Sequence, residues 1–251
     1  MLRILHTNDF HGALNAARES RLIELRRDCD VYFDCGDAIK SGNLAIPIKP
    51  EEAWTRLAHL HCTASVSGNR ESHVLQSAFA KKLAGHRHPI LCANLRLKAS
   101  PPIRGAREGG GFQGSEPPLP GHLIVEASGL RIGVVGVMVP MVTERMATQV
   151  ASAYLWDPPI PVATREAEAL RPQVDCLIAL THIGLRQDRE LAFQCSLFDL
   201  ILGGHSHDVL TQPEMVGKTA ICQTGSHGRF AGRYDWSPAI GIERYELVAI
   251  S

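Results

Sequence analysis

Net charge is the first thing this chain lacks. Its 26 Lys and Arg balance 26 Asp and Glu, which leaves no global field to gather a nucleic-acid polyanion and favours a small partner instead. The densest basic stretch, RLIELRRD, reads as the solvated face of an amphipathic helix with Leu22, Ile23 and Leu25 turned inward. Long apolar runs are missing too. None reaches the roughly 18 residues that a membrane span needs, and Met1 leads straight into LRILHT without the basic and apolar segments of a cleaved leader. The expectation is a cytoplasmic protein with no membrane contact. A disulfide framework is not evident either: the cysteines number seven, an odd count. Cys35, Cys62, Cys92, Cys176 and Cys222 fall in apolar strand-like runs, where a reduced thiol behaves as a small hydrophobe. No internal repeat is found. A length of 251 residues with 45% hydrophobic and 21% charged content suits one core, so residues 1–251 are expected to form a single domain.

What the chain does have is five short stretches rich in metal-binding side chains. They are Asp9 and His11 in LHTNDFHG, Asp37 in DCGD, Asn69 in SGNRE, His182 in LTHIG, and His205 with His207 in GGHSH. All are oxygen or imidazole donors. Such a set suits manganese, iron or zinc, and suits magnesium less well. Each stretch follows a short apolar run (LRILH, VYFDC, TASVS, CLIAL, DLILG) and delivers its polar residues at the carboxyl end. Open α/β sheets bind ligands along that rim, so the five stretches are expected to meet in one site holding two divalent ions. Any one of these histidines alone would read as a partly exposed polar residue; the cluster changes that reading.

Between these runs the pattern alternates strand with helix. NAARESRLIELRRD, PEEAWTRLAHLH with Pro50 in its first turn, and RESHVLQSAFAKKLAG closed by Gly85 read as helices. VATREAEALRP and LRQDRELAFQC read likewise. HLIVEASGLRIGVVGV predicts a hairpin turning at Ser128 and Gly129, and the tail from Thr219 alternates in the antiparallel manner. Residues 100–121, SPPIRGAREGGGFQGSEPPLPG, are too rich in Pro and Gly for either element and predict a long loop of the kind that serves as a lid or partner surface.

The order DxH, GD, GN, H, GHxH resembles the calcineurin-like metallophosphoesterases. LHTNDFHG and GGHSH are similar in particular to their 5′-nucleotidase branch. The likeness runs nearly end to end, through LCANL, LRIGVVGVMVP and TAICQTGSHGRFAGRYDW. It implies an α/β fold of two packed mixed β-sheets flanked by helices, a four-layer α/β/β/α sandwich. It also implies that Asp9, His11, Asp37 and His207 hold one metal and that Asp37, Asn69, His182 and His205 hold the other. Asp37 would bridge, because two dications about 3.5 to 4 Å apart need a shared anionic oxygen. The substrate implied is a small phosphorylated molecule such as a nucleotide. The nucleotidases resembled usually carry a further carboxyl-terminal domain that grips the base, so their nucleotide preference does not transfer.

One block departs from the family. Where the family has a His after the Asn, to protonate the leaving oxygen, and an Asp three places on, this chain has Arg70 and His73. A guanidinium stays charged and cannot act as that acid, but its planar fork can clamp phosphate oxygens. His73, expected on the same helical face, is the alternative proton carrier. Cys35 lies close to Asp37 in sequence, but strand alternation turns it away. The other histidines read as structural, with His227 in TGSHGRF placed where the family has a loop near the site. Three readings stay open: a phosphomonoesterase, a phosphodiesterase or cyclic-nucleotide hydrolase, and a phosphate-binding regulatory module with little turnover.

Overall fold

The computed structural model describes residues 1–98 and 118–251, so the loop expected at residues 100–121 lies largely outside the described residues. One sheet contains β1 (Leu2–Thr7), β2 (Val31–Asp34), β3 (Ala64–Val66) and β4 (Ile90–Leu91). After a short strand β5 (Leu95–Leu97), a second sheet begins with β6 (His122–Ala127) and β7 (Leu130–Met138). Strand β8 (Tyr154–Trp156) pairs with β5 in a two-stranded sheet; then come β9 (Cys176–His182), β10 (Leu200–Leu202), β11 (Glu214–Val216) and β12 (Thr219–Cys222). Finally β13 (Phe230–Ser237) and β14 (Gly241–Ala249) return to the first sheet. The six-stranded orders are β14-β13-β1-β2-β3-β4 and β11-β12-β10-β9-β7-β6. Within them β1 to β4 are mutually parallel, as are β7, β9, β10 and β12.

Parallel neighbours need crossovers, and the helices supply them. Helices α1 (Ala16–Arg26), α2 (Glu52–His59) and α3 (Gln76–Leu83) follow β1, β2 and β3, while α4 (Pro159–Leu170) and α5 (Leu185–Gln194) serve the second sheet. Asn15 caps α1 by accepting from the Arg18 N–H. The period-2 pattern sorts the layers. Ile4, Val31, Phe33 and Val66 of the first sheet meet Val134, Ile178, Leu180 and Leu202 of the second in a core between them. Leu5 and Tyr32 face outward to α1 and α2, and Leu177 and Ala179 face outward to α4 and α5. This is the expected α/β/β/α sandwich. Among the described residues no helix is long and apolar enough to cross a membrane, and all seven cysteines are buried and unpaired.

Several boundaries differ from the sequence reading. The third helix starts at Gln76 rather than near Glu71, because the intervening groups are otherwise engaged. The Glu71 carboxylate accepts from the Asp37, Ile39 and Gly68 N–H groups, and His73 Nδ1 accepts from the Leu75 N–H at 2.9 Å. Side-chain bonds to backbone of this kind compete with the helical ladder. Arg70 and His73 therefore do not share a helix face. Pro50 precedes the N-cap Glu51 instead of lying in the first turn of α2. The tail is not uniformly antiparallel: β12 runs parallel to β10, while β13 pairs antiparallel with β1. The hairpin turn matches expectation, with Ser128 at φ 52 and Gly129 at φ 74, the paired positive φ of a type I′ turn.

Behind β9 lies a fully buried carboxyl, Asp188, which accepts from Thr181 Oγ1 at 2.6 Å and Gln223 Nε2 at 2.8 Å. Burial raises its pKa to about 7, against the pull of those two donors. Its folded value thus lies above its unfolded one. The cost of ionising it in place is absent below about pH 4 and fully present above pH 7. Asp188→Asn removes that cost, with the Thr181 hydroxyl free to turn and accept. The melting temperature of the variant relative to the parent should rise between pH 5 and pH 8 by about 3 °C or more. An offset that is flat with pH would remove the carboxyl from this role.

Candidate metal centre

The carboxyl ends of the parallel strands in both sheets meet at one rim. Asp9 and His11 leave β1, Asp37 leaves β2, and Asn69 follows β3. From the other sheet, His182 ends β9, on the same face as Cys176, Ile178 and Leu180. His205 and His207 follow β10. The loops interlock through backbone bonds: Asp9 N–H to Gly36 O, His11 N–H to Asp37 O, and His227 N–H to Asp9 O, at 2.7 to 2.9 Å. Six of these residues, Asp9, His11, Asp37, His205, His207 and His227, hold φ between 51 and 80°. Left-handed backbone costs a non-glycine residue on the order of 1–3 kcal/mol. Such concentration at one rim marks a site where geometry is held against local preference.

Two glycines make the approach feasible. A Cβ on Gly204 would stand 2.8 Å from Asp9 Oδ2 and 2.9 Å from the Cys35 carbonyl oxygen. One on Gly68 would collide with Asp37 Oδ1 and the Asp37 backbone nitrogen. No larger residue fits either place without moving a carboxylate.

The donor atoms converge in two groups. In the first, Asp9 Oδ1 lies 3.5 Å from His11 Nε2 and 3.3 Å from His207 Nε2, and the two imidazole nitrogens are 2.9 Å apart. In the second, Asn69 Oδ1 is 3.1 Å from both His182 Nε2 and His205 Nδ1, and Asp37 Oδ1 is 3.5 Å from His182 Nε2. Asp37 Oδ2 points the other way, 3.7 Å from His11 Nδ1. Two donors each about 2.1 Å from one ion and about 90 to 110° apart stand about 3.0 to 3.4 Å from each other. The observed separations match such a shell. Asp9 Oδ1 is moreover buried without a hydrogen-bond partner among the described residues, as an atom awaiting a cation would be.

Surrounding groups aim these donors. The Cys35 carbonyl lies 2.7 Å from His182 Nδ1, which fixes the proton there and turns the Nε2 lone pair to the cluster. Asp9 Oδ2 is occupied by Asn8 Nδ2 and the His205 N–H, both at 2.8 Å, leaving Oδ1 for the centre. Burial opposes charge on Asp9, Asp37 and His182, yet their mutual attraction wins, whereas at His205 burial prevails and lowers the pKa. The imidazoles of His11 and His207 close beside it hold Asp9 well below the usual carboxylate range, and Asp37 is lowered by His182. Burial would lower His182, but Asp37 and then Asp9 raise it to about 10. The anionic pair thus draws positive charge to the spot where a divalent ion would supply it.

Arg70 reaches the same edge. Its N–H donates to Asp37 Oδ1 at 2.8 Å, its Nε lies 3.9 Å from Asp37 Oδ2, and Nη1 donates to the Lys40 carbonyl at 3.1 Å. Beneath it sits Lys82, fully buried, whose Nζ donates to the carbonyls of Gly42, Asn43 and Arg70. Burial pulls its pKa down to about 8. Asn43 in turn accepts from Asn69 Nδ2 at 2.8 Å. His73 is buried against Leu75, and among the described residues no hydrogen bond joins it to the cluster. His227, exposed, places its ring 5.0 Å from that of His11 and 6.0 Å from that of His207. Cys35 is turned away, its Sγ donating to the Leu202 carbonyl. The sequence reading overlooked the positioning roles of Asn8, Glu71, Asn43 and Lys82. Asn8 and Glu71 sit inside the blocks that were recognised, whereas nothing local marks Lys82.

Rim and fold together place a candidate metal-binding cluster at one edge of an α/β/β/α sandwich. The chain belongs to the calcineurin-like phosphoesterase family, whose profile matches residues 2–209. It is 27% identical over 93% of its length to the trifunctional nucleotide phosphoesterase protein YfkN of Bacillus subtilis, covering 18% of that protein. It is 26% identical over 84% of its length to protein 5NUC of Lutzomyia longipalpis, covering 40%. The chain therefore spans less than half of either relative. Among solved structures, the 5′-nucleotidase precursor from Thermus thermophilus superposes with a TM-score of 0.71 at 18% identity, over 99% of this chain and 54% of that one. The sulfate thiohydrolase SoxB of the same organism superposes with a TM-score of 0.77 at 17% identity, over 99% and 56%. At such identities the likeness establishes the fold.

Gly68→Ala tests the packing behind the rim. It should leave the melting transition cooperative while lowering metal-dependent kcat/KM about 10- to 100-fold, the usual effect of disturbing a ligand's supports. Unchanged activity would mean that Asp37 has room to move.

Proposed function

We propose that the chain is a dinuclear metal-dependent phosphomonoesterase acting on a small phosphorylated molecule, in the manner of a 5′-nucleotidase. The observation that carries this is the split of Asp37, one oxygen toward His182 and the other toward His11, which supports a bridging role between two ions. Asp9, His11 and His207 would complete one coordination shell, and Asn69, His182 and His205 the other. Manganese, iron or zinc suits these donors. Two such ions supply Lewis acidity and positive charge for the phosphoryl oxygens. The nucleotide phosphoesterase relative supports a nucleotide-like substrate, and the likeness to a 5′-nucleotidase supports the monoester over the diester reading.

The residues of the chain do the rest. Arg70, at the edge beside Asp37, holds a phosphate oxygen with its guanidinium and keeps its own proton. In this role it clamps but does not protonate. The expelled oxygen then leaves with little help, so substrates with acidic leaving groups are favoured. The regulatory-module reading would have the same clamp without turnover.

Two measurements test these assignments. Elemental analysis should find two divalent ions per chain in the parent and near loss of both in Asp37→Ala; full occupancy in that variant would end the bridging role. Separately, the parent should hydrolyse aryl phosphates far faster than alkyl ones. Arg70→His should raise kcat/KM for alkyl monoesters selectively, by up to the roughly 10² to 10⁴-fold that general acids contribute. Equal rates on both classes in the parent, with only the alkyl activity lost in His73→Ala, would give His73 the acid's role instead.

A further inference from the structure

A cavity of about 630 Å³ opens along the loops that follow His11 and Asp37, walled by Leu14, Ala45, Pro47 and Ile48 and edged by Lys40 and Lys49. Its volume is that of a small-molecule pocket. Two observations tie it to the centre. Gly12, which also lines it, directly follows His11, and the lining residue Gly42 directly precedes Asn43, which holds Asn69. Its inner wall is held by side-chain bonds: Lys82 Nζ holds the Gly42 and Asn43 carbonyls, and Arg70 Nη1 holds that of Lys40.

The charges of this wall are unevenly committed. Glu51 is spent on the N–H groups of Lys40 and Ser41 and on the Ser41 hydroxyl. Glu52 lies 3.6 Å from Arg56. Among the described residues neither Lys40 nor Lys49 stands in an ion pair. With Glu51 and Glu52 engaged in these contacts, Lys40 and Lys49 are the lining charges left to meet a ligand that is apolar in its body and anionic at its end. Leu44, Ile46 and Ile48 are exposed on the same loop at 76%, 47% and 105%, an apolar lip in line with such a body.

We propose that this cavity is the leaving-group subsite, taking a phosphate ester whose organic part is apolar and carries a second anionic group that meets Lys40 and Lys49. The inference rests on the phosphoesterase reading of the adjacent centre. It assigns the substrate's body to a pocket within this chain's own first 53 residues. The aryl preference expected from Arg70 and the apolar wall select in the same direction.

The test uses three esters on the metal-loaded protein: phenyl phosphate, 2-naphthyl phosphate and 6-carboxy-2-naphthyl phosphate. In the parent, kcat/KM should rise along that series. Lys49→Glu, at an exposed position, should lower the ratio of carboxynaphthyl to naphthyl turnover about tenfold. Ala45→Trp, also exposed, should fill the cavity and lower the ratio of naphthyl to phenyl turnover by a similar factor. Fluorescence titration with 6-carboxy-2-naphthyl phosphonate, which is not hydrolysed, reads binding independently and should show the same weakening in both variants. If all three esters turn over and neither variant changes a ratio, the subsite is overturned while the phosphoesterase reading stands. If none turns over but the phosphonate binds in a Lys49-dependent way, the subsite stands and the catalytic reading fails.

Discussion

Asp37 reaches both halves of the ligand cluster, and the structure around it is arranged so that neither oxygen can drift. Its Oδ1 takes the Arg70 N–H and faces His182, while Oδ2 faces His11. Its own N–H is held by Glu71, its carbonyl accepts from His11, and the absent side chain of Gly68 leaves the space it occupies. These contacts come from three places: the loop after β1, the loop after β3 and the end of β9. Left-handed backbone at six rim residues becomes affordable only because such cross-bonds over-determine it.

Much of this was legible in the chain itself. Short apolar runs ending in polar residues gave the strands and their common rim, and alternation along CLIALTH places His182 on the inner face with Ile178 and Leu180. The two-sheet arrangement followed from resemblance more than from pattern, since periodicity does not say which strands share a sheet. What sequence could not show were contacts between distant segments. Glu71 bonding back to Asp37 and Ile39 displaced the start of α3 by several residues, and so separated Arg70 from the helical face that would have paired it with His73. Lys82 is six residues into that helix by number, indistinguishable there from a solvated lysine. Its burial depends on three carbonyls supplied by segments up to 40 residues away. Of β12, sequence showed the strand but not the partner.

Fold and selectivity are separate matters at this rim. The same sandwich superposes on a protein named a nucleotidase and on one named a sulfate thiohydrolase. Differences in what is hydrolysed then reside outside the sheets, in the side chains around the rim or in the parts of those proteins beyond the shared sandwich. In this chain the candidates are few and adjacent: Arg70, the ring of His227, and the loop that follows Asp37. That loop is bound on its inner side and open on its outer side, so its outward residues can change without disturbing the donors beneath.

The cluster draws on two sheets at once. Asp9, Asp37 and Asn69 stand on one, and His182, His205 and His207 on the other. Ions bound as proposed would then rivet together two layers that are otherwise joined mainly by apolar contact. Stripping them would loosen that seam from its open edge, and the rate at which the chain unfolds would come under the control of metal supply. A protein built this way would report ion scarcity through its own lifetime in the cell, as emptied copies open and are cleared faster than filled ones.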